Sequence, residues 1–299
     1  NEQYPEIALV DDQSSIRACE TFMYDVYPKI RNGLVIEIDN YANAKIIAVR
    51  TVLVYCDHLV SSMSDRELDS FLESGVYDFG DVDINCSYAI PLYYNSARVA
   101  EQERISDETV SKDISIVPAS AGFGKTAIGI MSTVKNRRRC YWVCPRNVVA
   151  ENVYDTIVKE LGAFGCGLSV ELFLTGERLR CTDETKSIFG SEIVVTNIDN
   201  FTKPMVCHGV MDRLGDTLCS TVIFDEFHEF VDESPLFSAF VEFMKMRKYI
   251  NNGSKTILLS ATPSIVESLW NKDRNTSSGV IPCEFVTHEK EFQIEFSYS

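Results

Sequence analysis

The pattern of apolar and polar positions changes near residue 95 of this chain. Before that point, apolar residues recur at helical spacing over residues 14–30 and 44–63, with Ser, Asn and Asp near the segment ends. Beyond it, short apolar runs alternate with helical patterns, which is typical of a parallel sheet covered by helices on both faces. The sequence therefore predicts a mostly helical front segment, residues 1–94, followed by an α/β domain.

The α/β part contains six predicted strands and four predicted helices. Residues 222–224 and 257–259 are continuous apolar runs, as expected of strands that are buried on both faces. We predict strands at 114–117, 140–144, 169–174, 192–196, 221–225 and 256–260, and helices at 125–134, 148–161, 236–249 and 264–269.

Charge and composition limit the possible partners. The net charge of −16 argues against indiscriminate binding to polyanions. Two basic clusters, residues 135–139 and 245–248, are explained equally well by solvated helix ends or by a nucleic-acid contact. No apolar run approaches the roughly 20 residues of a membrane span. Cys56, Cys140 and Cys144 lie in apolar patterns, which favours reduced core thiols and a cytoplasmic location.

The stretch at residues 117–126, Val-Pro-Ala-Ser-Ala-Gly-Phe-Gly-Lys-Thr, lies between a predicted strand and a predicted helix. In such a loop, successive backbone N–H groups point inward around a phosphate. Lys125 adds positive charge at the β and γ phosphates, and the Thr126 hydroxyl completes a Mg²⁺ shell. The strict P-loop pattern has Gly where this chain has Ala119. The predicted nucleotide-phosphate site comprises Ser120, Ala121, Gly122, Phe123, Gly124, Lys125 and Thr126.

Two acids and a histidine stand at the end of the predicted strand 221–225, in the order Asp225, Glu226, Phe227, His228. Beside a phosphate loop, one carboxylate can hold Mg²⁺ through water and a second can orient and deprotonate the attacking water. We assign the first role to Asp225 and the second to Glu226. A solvated strand end explains one acid, but it explains two acids followed by His228 poorly.

Two further groups are predicted to serve this site. Ser260, Ala261 and Thr262 close another buried strand, where small hydroxyl residues can hydrogen-bond to the acids and report their state to the rest of the molecule. Gln102, with Arg98 four residues earlier, carries both a donor and an acceptor, as the Watson–Crick edge of adenine requires.

In this order and spacing, A-x-x-x-x-G-K-T, D-E-x-H and S-A-T resemble the first RecA-like lobe of a superfamily 2 DExH helicase. Ala at the position of Ala119 is common in that family, and Gln102 resembles its adenine-reading Q motif. The resemblance covers about residues 98–299. It implies ATP-dependent helicase or translocase activity with Mg²⁺, and a catalytic set of Lys125, Asp225, Glu226 and His228.

Two further motifs of that family concern nucleic acid. Residues 144–147 match motif Ia and residues 195–197 match motif Ib. The resemblance implies contacts of Arg146, Asn147, Thr196 and Asn197 with the nucleic-acid backbone. No motif that supplies the arginine fingers of a second lobe follows, so the chain alone is expected to bind nucleotide poorly and turn over little.

The front segment carries a second resemblance. Residues 54–62, with Cys-Asp-His-Leu-Val-Ser-Ser on a predicted helix, resemble the end of an HD phosphohydrolase domain. An HD domain followed by DExH lobes is the plan of the CRISPR-associated nuclease-helicase of type I systems. That family implies Asp57 as the last ligand of a transition metal, single-stranded DNA as substrate and a CRISPR RNA-guided surveillance complex as partner. A structural helix end explains Asp57 and His58 as well.

The earlier histidine ligands of the HD family are not in this chain. Either they lie upstream of residue 1 or the match is accidental; truncation is favoured because both ends look cut. The predicted domains are 1–94, the rear of an HD domain; 95–282, the first RecA-like lobe; and 283–299, the start of a second lobe. The alternatives are another superfamily 2 helicase, a restriction-type translocase without nuclease activity, or a nucleotide-binding switch.

Overall fold

The computed structural model divides the chain into two compact units, and each is described by itself. The larger unit contains residues 78–201, 219–237 and 252–299, and the smaller contains residues 1–77, 202–218 and 238–251. The structure describes residues 41–62, 84, 96–118, 122–206, 210, 213–231, 234–250, 253–260 and 278–280.

Within the described residues, eight strands form one sheet in the larger unit, in the order β4-β3-β5-β2-β6-β7-β1-β8. All neighbouring strands are parallel except β3 and β4, which form an antiparallel hairpin. The α/β, RecA-like fold class predicted from the sequence is confirmed. The strands are β1 Ile114–Pro118, β2 Cys140–Cys144, β3 Val170–Leu174, β4 Glu177–Cys181, β5 Ile193–Asn197, β6 Thr221–Phe224, β7 Thr256–Ser260 and β8 Ser278–Val280.

The helices confirm three of the predicted segments in the α/β part and add four that the pattern did not indicate: α2, α5, α6 and α7. The predicted helices at 14–30 and 264–269 lie outside the described residues. The helices are α1 Tyr41–Ser62, α2 Ser96–Ser111, α3 Lys125–Asn136, α4 Asn147–Ala163, α5 Ile198–Val206, α6 Arg213–Cys219, α7 His228–Val231 and α8 Ser234–Ile250.

The central strands are buried on both faces, which explains their continuous apolar sequences. On one face, Trp142 of β2 and Ile223 of β6 belong to the core cluster that contains Ile128 of α3 and Ile157 of α4. The opposite face carries an aromatic cluster in which Phe224 meets Phe201 edge-on, with 5.3 Å between ring centroids. This burial makes the sheet a rigid support for the loops that follow its strands.

The basic cluster at residues 135–139 is used for packing within the larger unit. It precedes β2, so it lies at the amino edge of the parallel strands, away from the loops that follow them. Lys135 Nζ lies 2.6 Å from Asp107 Oδ1, and Arg139 is buried with its Nε donating to the Ser191 carbonyl. These contacts favour a structural role over a nucleic-acid contact for most of this cluster.

The smaller unit contains α1, most of α6 and α8, and the end of α5. This unit contains the second basic cluster, residues 245–248, in which two side chains also interact within the unit. Lys245 forms an ion pair with Glu242, in which Nζ and Oε1 are 2.9 Å apart. Arg247 is buried, donates to the Thr217 carbonyl at 3.4 Å and lies over the Phe243 ring. These interactions indicate packing roles for both side chains.

The described cysteines are free thiols, and two of the three singled out by the sequence are in the core. Cys140 and Cys144 are fully buried in β2, and burial raises the pKa of Cys140 to about 12. Cys56 is exposed on α1, so the prediction of a core thiol at that position is wrong. An apolar helical pattern does not identify its buried face when the packing partner is unknown.

Gly129 is required by close packing of α3 on the sheet. A Cβ there would lie 2.4 Å from the Trp142 ring and 2.9 Å from Ile223 Cδ1. We expect Gly129→Ala to lower the free energy of unfolding by about 1–3 kcal/mol, because a filled core cannot accept the methyl group without strain. Urea denaturation measures the change.

Gly162 of α4 is the matched control for this substitution. It is exposed, and nothing lies within 4 Å of its added Cβ. Gly162→Ala should raise stability by up to about 1 kcal/mol through helix propensity. If Gly129→Ala is as stable as Gly162→Ala, the described packing of α3 against β2 is incorrect.

Candidate nucleotide and nucleic-acid site

The phosphate loop joins β1 to α3 at the carboxyl edge of the sheet. Gly122 and Gly124 have φ values of +79° and +95°, which a residue with a Cβ adopts only with strain. Phe123 is buried between them, and α3 begins at Lys125. Its amino end therefore presents backbone N–H groups to this edge. The predicted residues Ser120 and Ala121, together with Ala119, lie outside the described residues.

Arg98 and Gln102 reach the phosphate loop from α2. Gln102 is buried, and its Nε2 donates to the Phe123 carbonyl at 2.8 Å. Arg98 Nε donates to the same oxygen at 3.0 Å, and its Nη2 donates to the Gly122 carbonyl. By fixing these carbonyls, the two side chains fix the peptide planes on which the direction of the loop N–H groups depends. Recognition of adenine by Gln102 stays a prediction.

Asp225 follows β6 and is almost fully buried. Its Oδ2 accepts a hydrogen bond from Trp142 Nε1 at 3.3 Å, and its Oδ1 accepts one from the Glu226 backbone N–H at 3.0 Å. Burial raises the pKa of Asp225, while the positive charge of Lys125 and the Trp142 donor act in the opposite direction. The carboxylate is thus held in a fixed position, with the ammonium of Lys125 as its nearby countercharge.

Lys125 and Glu226 form an ion pair between the phosphate loop and the acid pair. Lys125 Nζ lies 2.5 Å from Glu226 Oε1, with the two side chains 13% and 31% exposed. The backbone of Glu226 has φ of +48°, which costs of order 1–3 kcal/mol for a residue with a side chain. Its Oε2 is buried and accepts no hydrogen bond from any described residue. Glu226 is thus held by hydrogen bonding at Oε1, while Oε2 retains the capacity to accept a hydrogen bond from a further donor.

His228 connects the acid pair to the end of β7. Its Nδ1 lies 3.2 Å from Ser260 Oγ and 3.5 Å from Glu226 Oε2. The backbone adds a second link, because Phe227 N–H donates to the Leu259 carbonyl at 2.9 Å. Ala261 and Thr262, predicted to share the coupling role of Ser260, lie outside the described residues.

The side chains gathered here fit a nucleotide phosphate with Mg²⁺. Thr126 and Asp225 supply a hydroxyl and a carboxylate, which are the hard oxygen ligands that Mg²⁺ prefers. Lys125 supplies a cation for the phosphates. The buried Oε2 of Glu226, which accepts no hydrogen bond from a described residue, suits a carboxylate that must bind a water molecule. Gly122 is exposed, and nothing lies within 4 Å of a Cβ built on it.

The four residues assigned to nucleic acid divide into two exposed and two buried side chains. Arg146 and Asn147 are exposed at the amino end of α4. Thr196 is 3% exposed and Asn197 7%, because β5 lies between β3 and β2. The Thr196 hydroxyl donates to the Phe173 carbonyl at 2.8 Å, and Asn197 Nδ2 donates to Asn147 Oδ1 at 2.6 Å. Asn197 thus positions Asn147, while the nucleic-acid role of all four stays a prediction.

Asp57 and His58 are exposed on α1. No group of three or more His, Cys, Asp and Glu side chains able to hold a metal ion occurs in the part of the chain that the structure describes. The metal role of Asp57 stays a prediction. Among the described helices, none is both long and apolar enough to cross a membrane.

Two functional residues escaped the sequence analysis. In the sequence, Trp142 looks like one more apolar residue of β2. Because a buried indole N–H needs an acceptor, a Trp in a buried strand indicates a polar partner nearby. Glu229 is a third acid after Asp225 and Glu226. It forms an ion pair with Arg146 at 2.9 Å, a contact between loops that no spacing along the chain indicates.

Gly124 provides a direct test of the loop geometry. A Cβ there would lie 2.2 Å from Gln102 Nε2, so Gly124→Ala displaces the Gln102 amide from the Phe123 carbonyl. Gly122→Ala carries a similar backbone strain with no clash. We expect Gly124→Ala to weaken ATP binding about tenfold more than Gly122→Ala, since an unpaired buried polar group costs about 1–3 kcal/mol. Titration with a fluorescent ATP analogue measures both; equal losses would contradict the role of Gln102.

Comparison with known proteins identifies the family to which this chain is similar. The DEAD/DEAH box helicase family matches residues 99–269. The solved structures similar to this chain include the DExH-box NTPase HrpB of E. coli, with 15% identity, a TM-score of 0.46, and coverage of 65% of this chain and 22% of that chain. Dbp5 of S. cerevisiae, bound to RNA and ADP BeF3, has 16% identity and a TM-score of 0.42, with coverage of 60% of this chain and 45% of that chain.

The DUF1998 helicase MrfA gives 13% identity, a TM-score of 0.45, and coverage of 75% of this chain and 33% of that chain. This chain therefore spans between about a fifth and less than half of the length of these three proteins. No match was found among the curated proteins. Because the family match covers more than half of the 299 residues, the chain belongs to the DEAD/DEAH box helicase family.

Proposed function

We propose that this protein hydrolyses ATP with Mg²⁺ in response to bound nucleic acid and uses the reaction to move along or unwind the strand. The observation that carries the proposal is the convergence of Lys125, Asp225, Glu226 and His228 at one edge of the sheet, with the links described above. A protein that only binds nucleotide does not need this full set. We propose single-stranded DNA as the substrate and the cytoplasm as the location.

Each side chain has a defined task in this proposal. Bound ATP with Mg²⁺ supplies an activated phosphoryl group whose charge the ion partly neutralises. Lys125 binds the phosphates, while Thr126 and Asp225 hold the ion. The Glu226 carboxylate orients a water molecule and accepts its proton. Gln102 keeps the phosphate loop in its binding conformation through the Phe123 carbonyl.

The ion pair between Lys125 and Glu226 explains how the site is kept at rest. The Oε1 atom of Glu226 accepts a hydrogen bond from the Lys125 ammonium group at 2.5 Å, so this oxygen is not available to a water molecule while the pair is intact. Phosphate oxygens compete with Glu226 for the same ammonium group. Binding of the nucleotide therefore both places the phosphates and frees the Glu226 carboxylate for the water molecule that attacks them.

Two substitutions separate binding from turnover. In the naturally encoded protein, we expect Lys125→Ala to leave less than about a tenth of the nucleic-acid-stimulated rate, since one such electrostatic contact typically contributes several kcal/mol to the transition state. Glu226→Gln should keep ATP binding and stop turnover, because the amide cannot accept the proton. For each variant, steady-state hydrolysis measures turnover and nucleotide titration measures ATP binding. Loss of binding in Glu226→Gln would mean that Glu226 is structural.

The nucleic-acid contact is expected to be electrostatic and to ignore base sequence. Affinity should fall with salt, and Arg146→Gln should reduce the slope of log K against log salt by about 1. Arg137→Gln is the control, because Arg137 is equally a surface cation but lies at the amino edge of the strands. Fluorescence anisotropy with oligonucleotides of different sequence measures this. A base preference that survives high salt would contradict the proposal.

The finer assignment, to the CRISPR-associated nuclease-helicase, is also proposed. It rests on residues 54–62 and on the exposure of Asp57, which leaves room for an ion. Asp57 of α1 would then be one ligand of a transition-metal site in an HD nuclease. The partner would be a CRISPR RNA-guided complex. A helicase or restriction-type translocase with an unrelated helical front is the alternative.

Asp57→Ala tests the nuclease assignment. We expect loss of metal-dependent cleavage of single-stranded DNA in the naturally encoded protein, with ATP hydrolysis retained, because the two reactions use separate residues. His58→Ala is the matched control and should cleave normally, since adjacent side chains on a helix point about 100° apart. Persistent cleavage in Asp57→Ala would refute the assignment of Asp57 to the metal site of an HD nuclease and leave the helicase proposal intact.

A further inference from the structure

One ion pair joins the predicted nucleic-acid surface to the segment that carries the catalytic acids. β2 and β6 are parallel neighbours, so the loops that follow them leave the same edge of the sheet side by side. Arg146 follows β2 and Glu229 lies in α7, shortly after β6. The Arg146 Nη2 and Glu229 Oε2 atoms are 2.9 Å apart.

The Glu229 backbone continues this connection to the acid pair. Its N–H donates to the Glu226 carbonyl at 2.9 Å, which closes the turn in which Glu226 has a φ of +48°. The Glu226 side chain in turn meets Lys125 at 2.5 Å. A guanidinium on the surface is thus connected through a single turn to the carboxylate assigned as the general base.

Arg146 is also placed to be taken by a phosphate. Its side chain is 75% exposed while that of Glu229 is 32% exposed, so another anion can approach the guanidinium without unfolding the loop. An ion pair between such exposed side chains is weak and exchanges readily, whereas a phosphate can accept two parallel hydrogen bonds from one guanidinium. Glu229 and a nucleic-acid phosphate therefore compete for the same donors.

We propose that Glu229 is a positioning residue that holds Arg146 until a nucleic-acid phosphate replaces its carboxylate, and that this exchange frees the turn carrying Glu226. The inference rests on the proposed function, because it assumes that Arg146 contacts nucleic acid. It goes beyond that function by giving the physical step through which a bound strand reaches the hydrolytic residues. Glu229 opposes binding of the nucleic-acid strand, and it restrains hydrolysis while no strand is bound.

Charge-neutral substitutions in the naturally encoded protein test the competition. We expect Glu229→Gln to lower the Kd for a fluorescent single-stranded DNA oligonucleotide by about twofold to fivefold at low salt, the range set by a surface ion pair. Glu151→Gln is the matched control. Glu151 is an exposed acid one helical turn beyond Asn147, and its substitution by Gln removes the same charge as Glu229→Gln. Its effect should be clearly smaller than that of Glu229→Gln.

A double-mutant cycle then isolates the pair. In the Arg146→Gln background, Glu229→Gln should have no more effect on the Kd than Glu151→Gln, because the competition no longer exists. A gain from Glu229→Gln that is equal in both backgrounds would reflect general charge repulsion, and it would overturn the proposal. Circular dichroism of each variant confirms that the α/β domain remains folded.

Hydrolysis without nucleic acid tests the second half of the proposal. Glu229→Gln should raise the unstimulated ATPase rate by about twofold to fivefold, with the rate at saturating oligonucleotide unchanged. Glu151→Gln should alter neither rate. An unstimulated rate in Glu229→Gln equal to that of the wild type would overturn the connection to Glu226.

The two levels of the account fail in different ways. If the unsubstituted chain shows no salt-dependent binding of the oligonucleotide, the proposed function fails and this inference fails with it. If the unsubstituted chain binds and Arg146→Gln weakens binding, but Glu229→Gln and Glu151→Gln behave alike, the proposed function stands and only the role of Glu229 is refuted.

Discussion

The ion pair between Lys125 and Glu226 is the contact on which the site depends. It joins two loops that follow β1 and β6, which the chain brings together by placing both strands beside β7. Neither side chain can reach the other unless the sheet order is correct and both loops leave the same edge. The glycine conformations of the phosphate loop and the positive φ of Glu226 are the local adjustments that complete the contact.

Burial makes this small group of charges effective. Asp225 lies at the end of β6 with the Trp142 indole N–H as a donor from the neighbouring strand, while the ammonium of Lys125 offsets part of the cost of removing the carboxylate from water. Ser260 of β7 meets His228 at 3.2 Å. Three adjacent strands, β2, β6 and β7, thus each contribute to the position of the acid pair. A displacement of any one of them would therefore change the position of the acids.

Those parts of the fold that bury both faces of a strand could be predicted from the sequence. β2 and β7 are apolar runs with the predicted bounds, and β6 ends one residue earlier than predicted. β4, Glu-Arg-Leu-Arg-Cys, was missed because it is an edge strand in which two of the three exposed positions carry charges. α2 was missed because its sequence is mostly polar. The motifs located the charges, but the burial of Thr196 and the pairing of Arg146 with Glu229 depend on strand order, which no local pattern encodes.

A crystal structure of the protein with Mg²⁺ and a non-hydrolysable ATP analogue tests the central claim most directly. The account predicts that the phosphates lie against Lys125 at the amino end of α3, and that Lys125 Nζ has left Glu226 Oε1, from which it is now 2.5 Å away. Thr126 and Asp225 should face the ion. An analogue bound elsewhere, or bound at the loop with the ion pair between Lys125 and Glu226 intact, would contradict the account.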